Sequence, residues 1–277
     1  MVSEIERRGM ALTEGLVAMP VTARPRIDAR WWFWLRRVMR DLLPAIGLYA
    51  LYGLFRRWQP DYAPEAAMRN AADLVAFQAA TGLDIDRGWQ VAALGHSWLI
   101  TFANWFYILG WAPVLLAVAI FAFIRAPVVL ERWRIVLTLT ALATAIVQFA
   151  WPLAPPRIYE PYGMIDTLMT FGPTYYGTVG DTSGAINVYG AMPSMHVGWS
   201  LLAALIMRAV LPGRWWVTLG GAMYVATMTW TVVVTGNHYL LDPIVGVLLV
   251  LLAIAIGRIW NDRRIGQLRR RSATLPA

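Results

Sequence analysis

The chain has 277 residues, of which 58% are hydrophobic and only 14% charged. Ordinary soluble domains are about 45–50% apolar and about 25% charged, so this balance points to a polytopic membrane protein and excludes a disordered tail, a collagen-like chain and a nucleic-acid-binding domain. Cysteine and lysine are absent, which makes all 24 basic residues arginine and removes disulfides, iron–sulfur clusters, thiolate nucleophiles and Schiff-base chemistry.

Residues 1–41 read as a cytoplasmic segment ahead of the first long apolar run. Within it, Arg30 to Arg40 carries Trp31, Trp32 and Trp34 among arginines, the pattern of a helix lying in a membrane interface. A helical span needs about 20 mostly apolar residues. Six stretches come close: 42–58, 98–123, 134–151, 197–211, 215–235 and 240–259. The fourth is short unless it begins near Pro193. Between the first two, 64–81 reads as an amphipathic surface helix with Ala67, Met68, Ala71, Leu74, Val75 and Phe77 as apolar candidates, stopped by Gly82. The polar stretch ahead of 42–58 argues against a cleaved signal peptide. No repeat or low-complexity linker divides the chain, so 42–260 reads as one all-α membrane domain of six transmembrane helices, followed by a basic tail, 261–277.

Arginine placement sets the orientation. With the N-terminus inside, only Arg56, Arg57, Arg69, Arg87 and Arg157 fall on outer segments, and the other arginines fall inside. This predicts an N-in, C-in protein. The net charge of +8 then reads as topology signal and headgroup contact, with no nucleic-acid partner.

The polar chemistry collects at span ends on the outer side. There are three histidines. His238 and Asp242 are four apart, which on a helix places them on one face. A carboxylate beside an imidazole fixes its tautomer and stabilises its cation, and such a histidine can serve as base or nucleophile. If Pro243 instead opens the sixth helix with Asp242 as its cap, His238 lies on the preceding turn. His196 lies in Pro193-Ser194-Met195-His196, where a helix begins. Pro193 suits a first turn, and the N–H groups near Ser194 would make an anion site. The third span closes in Trp151-Pro152-Leu153-Ala154-Pro155-Pro156-Arg157. The prolines end the helix, and Arg157 can bind phosphate bidentately. The long loop 158–192, with Asn187, Tyr189 and several other tyrosines, reads as a lid or recognition element. His96 carries no such neighbours and reads as structural.

These residues resemble the type 2 phosphatidic acid phosphatase superfamily. More narrowly, they resemble its branch containing inositol phosphorylceramide synthase and bacterial relatives. The resemblance rests on Ala154-Pro155-Pro156-Arg157, on Asn187-Val188-Tyr189-Gly190-Ala191-Met192-Pro193-Ser194-Met195-His196 and on Thr235-Gly236-Asn237-His238-Tyr239-Leu240-Leu241-Asp242. It implies a helical core over about 42–260 and a site facing outward from a bacterial plasma membrane. His238 would be the nucleophile forming a phosphohistidine, Asp242 would orient it, and His196 would be the acid for the leaving alcohol. Ser194, Arg157, Asn237, Tyr189 and Asn187 would bind substrate. No cofactor or metal is implied. The substrate would be a membrane lipid phosphate, with an alcohol, a polyol or water as acceptor; the long loop and the branch favour transfer over plain phosphatase activity. The chain departs from the usual motifs in lacking the lysine of the first, in carrying Thr231 and Val232 where the third has Ser-Arg, and in carrying Trp111 where relatives of this branch have a histidine.

Two other readings compete. A membrane haem protein with His196 and His238 as axial ligands leaves Ser194 and Asp242 without a task. A transporter or non-catalytic lipid-binding protein fits span-edge ionisable residues, but the spans lack mid-membrane charges and an inverted repeat.

Overall fold

A computed structural model describes residues 63–173 and 188–273, with side chains as far as Trp260, plus the isolated helical positions Trp32, Leu35, Arg36, Met39 and Gly47. The predicted first span 42–58 (apart from Gly47), Trp31 and Trp34 of the predicted surface helix, and Asn187 lie outside the described residues. The chain divides into compact units 1–44 and 45–277; the helices described below belong to the second. They run α1 (Ala63–Thr81), α2 (Asp86–Leu94), α3 (Ser97–Leu109), α4 (Ala112–Arg125), α5 (Pro127–Ala150), the short α6 (Thr167–Phe171), α7 (Met195–Val210), α8 (Trp215–Val234) and α9 (Leu241–Ala273). Among the described residues the only β pairing is an isolated parallel bridge between Leu153 and Gly190.

Helix α1 begins and ends close to expectation. Gly82 follows it at φ +72°, the left-handed position where glycine stops a helix without strain. Its buried face is Ala63, Ala67, Ala71, Leu74 and Gln78, whereas Phe77 is exposed. The predicted apolar set therefore had one member on the wrong side, and a glutamine takes the next buried position along the stripe.

The predicted span 98–123 is not one helix. It is the pair α3 and α4, bent by 47°. Pro113 at the start of α4 has no N–H to donate back to Leu109, so the helix must restart there. The Gly110 carbonyl at the break accepts a hydrogen bond from the Tyr224 hydroxyl of α8, which satisfies a group that lipid could not. Helices α5, α8 and Leu241–Trp260 of α9 are each long and apolar enough to cross a membrane, and the bent pair is a fourth candidate. Helix α7 is a shorter apolar helix. It starts at Met195 rather than at Pro193, which stays outside it.

Short as it is, α7 is the hub: it packs against α4, α5, α8 and α9. Its buried residues include Gly198, Ser200 and Ala203, and small side chains let apolar helices approach closely where lipid offers no hydrophobic drive to associate. The closest approach is to α9. A Cβ on Gly246 would stand 2.5 Å from the Ser194 carbonyl oxygen, a backbone atom that already accepts the Gly198 N–H. Gly246→Ala is therefore expected to push α7 and α9 apart and to destabilise the protein by about 1–3 kcal/mol. A melting curve in detergent reads the loss. Because His196 rides on one helix and Asp242 on the other, activity per folded molecule should fall as well.

Candidate active site

The site assembles at one end of the helix bundle, where α5 and α8 finish and α7 and α9 begin. The chain leaving α5 runs beside the chain entering α7. The Leu153 N–H donates to the Tyr189 carbonyl (2.7 Å) and the Ala191 N–H to the Leu153 carbonyl (3.3 Å). This pairing carries the Ala191 carbonyl to His238. The chain leaving α8 turns at Gly236, where φ is +73° and a Cβ would stand 2.5 Å from the Ile165 carbonyl oxygen. Only glycine suits that place. His238 therefore lies on a turn ahead of α9, not on a helix, and Asp242 occupies the first turn of α9.

The pairing predicted from the four-residue spacing is made nonetheless. His238 Nδ1 lies 3.2 Å from Asp242 Oδ2. It lies closer still, 2.7 Å, to the Ala191 carbonyl oxygen. A carbonyl can only accept, so Nδ1 carries the proton, and Nε2 of the neutral ring keeps its lone pair. Asp242 is fully buried and His238 is nearly so. Asp242 Oδ2 also accepts the Tyr239 N–H at 2.9 Å, so the carboxylate holds both the ring and the backbone beside it.

His196 is the second residue of α7. Its ring centroid is 5.8 Å from that of His238, edge to face. It stacks on Tyr107 at 4.1 Å and meets Trp111 at 5.0 Å. The break between α3 and α4 thus supplies two aromatic walls to this imidazole, and Trp111 stands where the sequence departs from its resembling branch. His96 by contrast is exposed at the cap of α3.

Ser194 caps α7 through its backbone. Its side chain makes no cap hydrogen bond, and its Oγ is buried without a hydrogen-bond partner among the described residues. Its own N–H donates to the Asp242 carbonyl at 3.0 Å. The N–H groups left without intrahelical partners by helix geometry are those of Met195, His196 and Val197. Arg157 reaches the site from the proline-rich exit of α5. Its Nε donates to Asn237 Oδ1 at 2.8 Å and lies 3.5 Å from Asp166 Oδ2. Asn237 therefore holds the arginine, and Asn237 Nδ2 bonds Thr235 Oγ1 at 3.0 Å. Tyr189 packs against the cluster that contains Leu153, Ala154 and Tyr239.

Sequence reasoning missed the residues that brace this assembly. Gln90 clamps the Ile165 backbone with both ends of its amide, at 3.0 Å and 2.9 Å, and also donates to the Val234 carbonyl. Asn104 of α3 accepts from the Thr167 hydroxyl and donates to the Thr167 and Gly172 carbonyls. Asp86 and Gln78 bond the backbone at Leu240 and Leu241. The available signal was weak: a polar residue at helical spacing from an apolar stripe, as Gln78 is from Ala67, Ala71 and Leu74.

Asp86 also sets a pH dependence. Burial pushes its carboxyl up from 3.8 to about 6, against the lowering effect of hydrogen bonds from Gln78, Leu240 and Tyr162, with the Asp242 charge adding to the rise. Asp84 faces the same phenol, its Oδ1 accepting from Tyr162 at 2.6 Å. As pH rises from about 4 to about 6, the unfolded chain gives up this proton while the folded chain keeps it. This group therefore lowers stability through that window, by about 3 kcal/mol once both states are ionised. Asp86→Asn is expected to melt above the wild type at pH 7.5. It should also lose much of the gain that the wild type shows on acidification to pH 5.

The family model described as the PAP2 superfamily matches residues 72–256. The catalytic subunit of inositol phosphorylceramide synthase from Schizosaccharomyces pombe is 28% identical over 163 residues, covering 53% of this chain but only 37% of that protein. The phosphoinositol dihydroceramide synthase of Bacteroides thetaiotaomicron is 24% identical over 239 residues, covering 77% of this chain and 75% of that protein. No solved structure matches. The matched segment runs from within α1 to within α9 and contains His196, His238, Asp242 and Arg157: the chain belongs to the PAP2 superfamily, and within it resembles the inositol phosphorylceramide synthase-like branch.

Proposed function

We propose that this protein is a membrane phosphotransferase that moves a phosphoinositol group from a lipid donor to the hydroxyl of a ceramide-type acceptor, through a phosphohistidine on His238. The observation that carries the reading is the Nδ1 hydrogen bond to the Ala191 carbonyl, which leaves Nε2 unprotonated beside a second imidazole. The choice of transferred group and acceptor rests on the names of the two relatives.

In the first step the Nε2 lone pair attacks phosphorus and a P–N bond forms. The P–O bond to the donor's alcohol breaks, and His196 gives that oxygen a proton. The ring of His238 now carries positive charge, which the Asp242 carboxylate stabilises. In the second step the acceptor hydroxyl loses its proton to His196 and attacks phosphorus, and the P–N bond breaks. Splitting one displacement into two in this way is the gain from a covalent intermediate. Positioning and charge stabilisation carry most of the catalysis. Here they come from Arg157, from the buried Ser194 hydroxyl and from the open N–H groups at the start of α7.

The test is incubation of purified protein with inositol-labelled phospholipid and ceramide in detergent. A labelled sphingolipid that disappears in His238→Ala supports the reading. Release of labelled inositol phosphate alone marks a hydrolase, and no turnover of any lipid phosphate overturns both.

The topology belongs to the same proposal: six spans, both termini inside and the site facing outward, supported by the arginine bias. The native chain has no cysteine, so single cysteines report topology directly. Glu160→Cys is expected to react with a membrane-impermeant maleimide in intact cells. Arg214→Cys, in the turn between α7 and α8, should react only after lysis.

A further inference from the structure

From His238 to Asp242 every backbone donor of the turn has a partner. The His238 N–H donates to the Val232 carbonyl, and the Asp242 N–H to the Tyr239 carbonyl. The Tyr239 N–H goes to Asp242 Oδ2. The two remaining donors, at Leu240 and Leu241, are the orphan N–H groups expected at a helix start. Neither is met by a residue of α7, α8 or α9. The Leu240 N–H donates to Asp86 Oδ2 at 3.2 Å and the Leu241 N–H to Gln78 Oε1 at 3.4 Å. The same Asp86 oxygen accepts Gln78 Nε2 at 2.8 Å and faces the Tyr162 hydroxyl at 3.2 Å. Asp86 and Gln78 are both fully buried. A carboxylate in such a place is costly to hold, and one Asp86 oxygen has no hydrogen-bond partner among the described residues. A fold seeking only stability would place a neutral acceptor here.

We propose that Asp86, with Gln78, is a positioning residue for the phosphoryl-transfer reaction: the two side chains fix the Leu240–Leu241 backbone and through it set where His238 and Asp242 stand. This rests on the reading of His238 as nucleophile. It assigns a catalytic purpose to α1 and α2, which lie outside the three sequence motifs around Arg157, His196 and His238. A displaced turn alters the approach of Nε2 to phosphorus more than it alters lipid binding. The loss therefore falls on kcat and on transition-state-like ligands rather than on KM.

Orthovanadate, which resembles the phosphorus at the midpoint of transfer, tests this without a known lipid. Its binding to the full-length protein in detergent is measured by calorimetry. Wild type is expected to bind and His238→Ala not to bind. Asp86→Ala and Asp86→Leu should each weaken binding about tenfold or more, the scale of a lost charge-assisted hydrogen bond. Asp86→Asn keeps an oxygen for the Leu240 N–H and should recover most of the affinity. In the lipid assay kcat should follow the same order, with KM changed less than about threefold. A merely structural role would lower the yield of folded protein and leave vanadate affinity per folded molecule unchanged. If Asp86→Ala cannot be purified, Gln78→Met, which removes only the neighbouring acceptor, decides the matter by the same measurement. Vanadate binding lost in His238→Ala but intact in Asp86→Ala, or in Gln78→Met where that variant decides, overturns the positioning role and leaves the nucleophile standing. A wild type that does not bind vanadate, or a His238→Ala that binds as well as wild type, overturns both.

Discussion

Replacing His238 by alanine is expected to reduce turnover at least ten-thousandfold and to abolish acid-labile phosphoenzyme. Removal of a covalent nucleophile costs about that much wherever it has been isolated, because the residual groups bind and polarise but cannot form the intermediate. The substitution should leave the fold standing. Among the described residues the His238 side chain bonds the Ala191 carbonyl and Asp242, while the backbone of the turn is held through its N–H groups. Rapid quench with phosphate-labelled lipid, followed by alkaline and acid stability of the label, distinguishes phosphohistidine from noncovalent retention. Unchanged turnover in this variant would remove the covalent mechanism.

The second large effect is that of Asp242→Asn, and here the structure changes the magnitude expected. In a serine-protease triad the same substitution costs about ten-thousandfold because the histidine takes the wrong tautomer. In this protein the Ala191 carbonyl holds Nδ1–H at 2.7 Å whatever stands at 242. The tautomer survives, and what is lost is the charge that, in the proposed mechanism, stabilises the phosphorylated ring. We expect a fall of about a hundredfold to a thousandfold in kcat, with phosphoenzyme formed slowly but still formed. Hydrogen exchange at Tyr239 should quicken slightly if the amide accepts the Tyr239 N–H less well than the carboxylate does. A loss as complete as that of His238→Ala would show that Ala191 does not secure the ring.

Several features were legible in the residues themselves. Apolar runs placed α5, α8 and α9, since a run of such length has few other homes. Gly82 marked the end of α1, and the spacing of His238 and Asp242 announced their contact. The bend at Pro113 was also written in the chain, but the overall hydropathy of 98–123 masked it. The N-terminal start of α7 at Met195 was not legible, because Pro193 fits a first helical turn and equally well a turn ahead of one.

Residue identity along the chain determined which chemistry this protein can attempt: two imidazoles, one neighbouring carboxylate, one arginine after prolines, and no thiol or amine nucleophile. The tertiary structure alone decided how those groups are held. His238 donates its Nδ1–H to a carbonyl 47 residues away, and the turn beside it is fixed by a carboxylate 154 residues away. Every residue type has a carbonyl, so the first contact leaves no mark in composition. The second joins α2 to the turn ahead of α9, and no periodicity within either helix records where they meet.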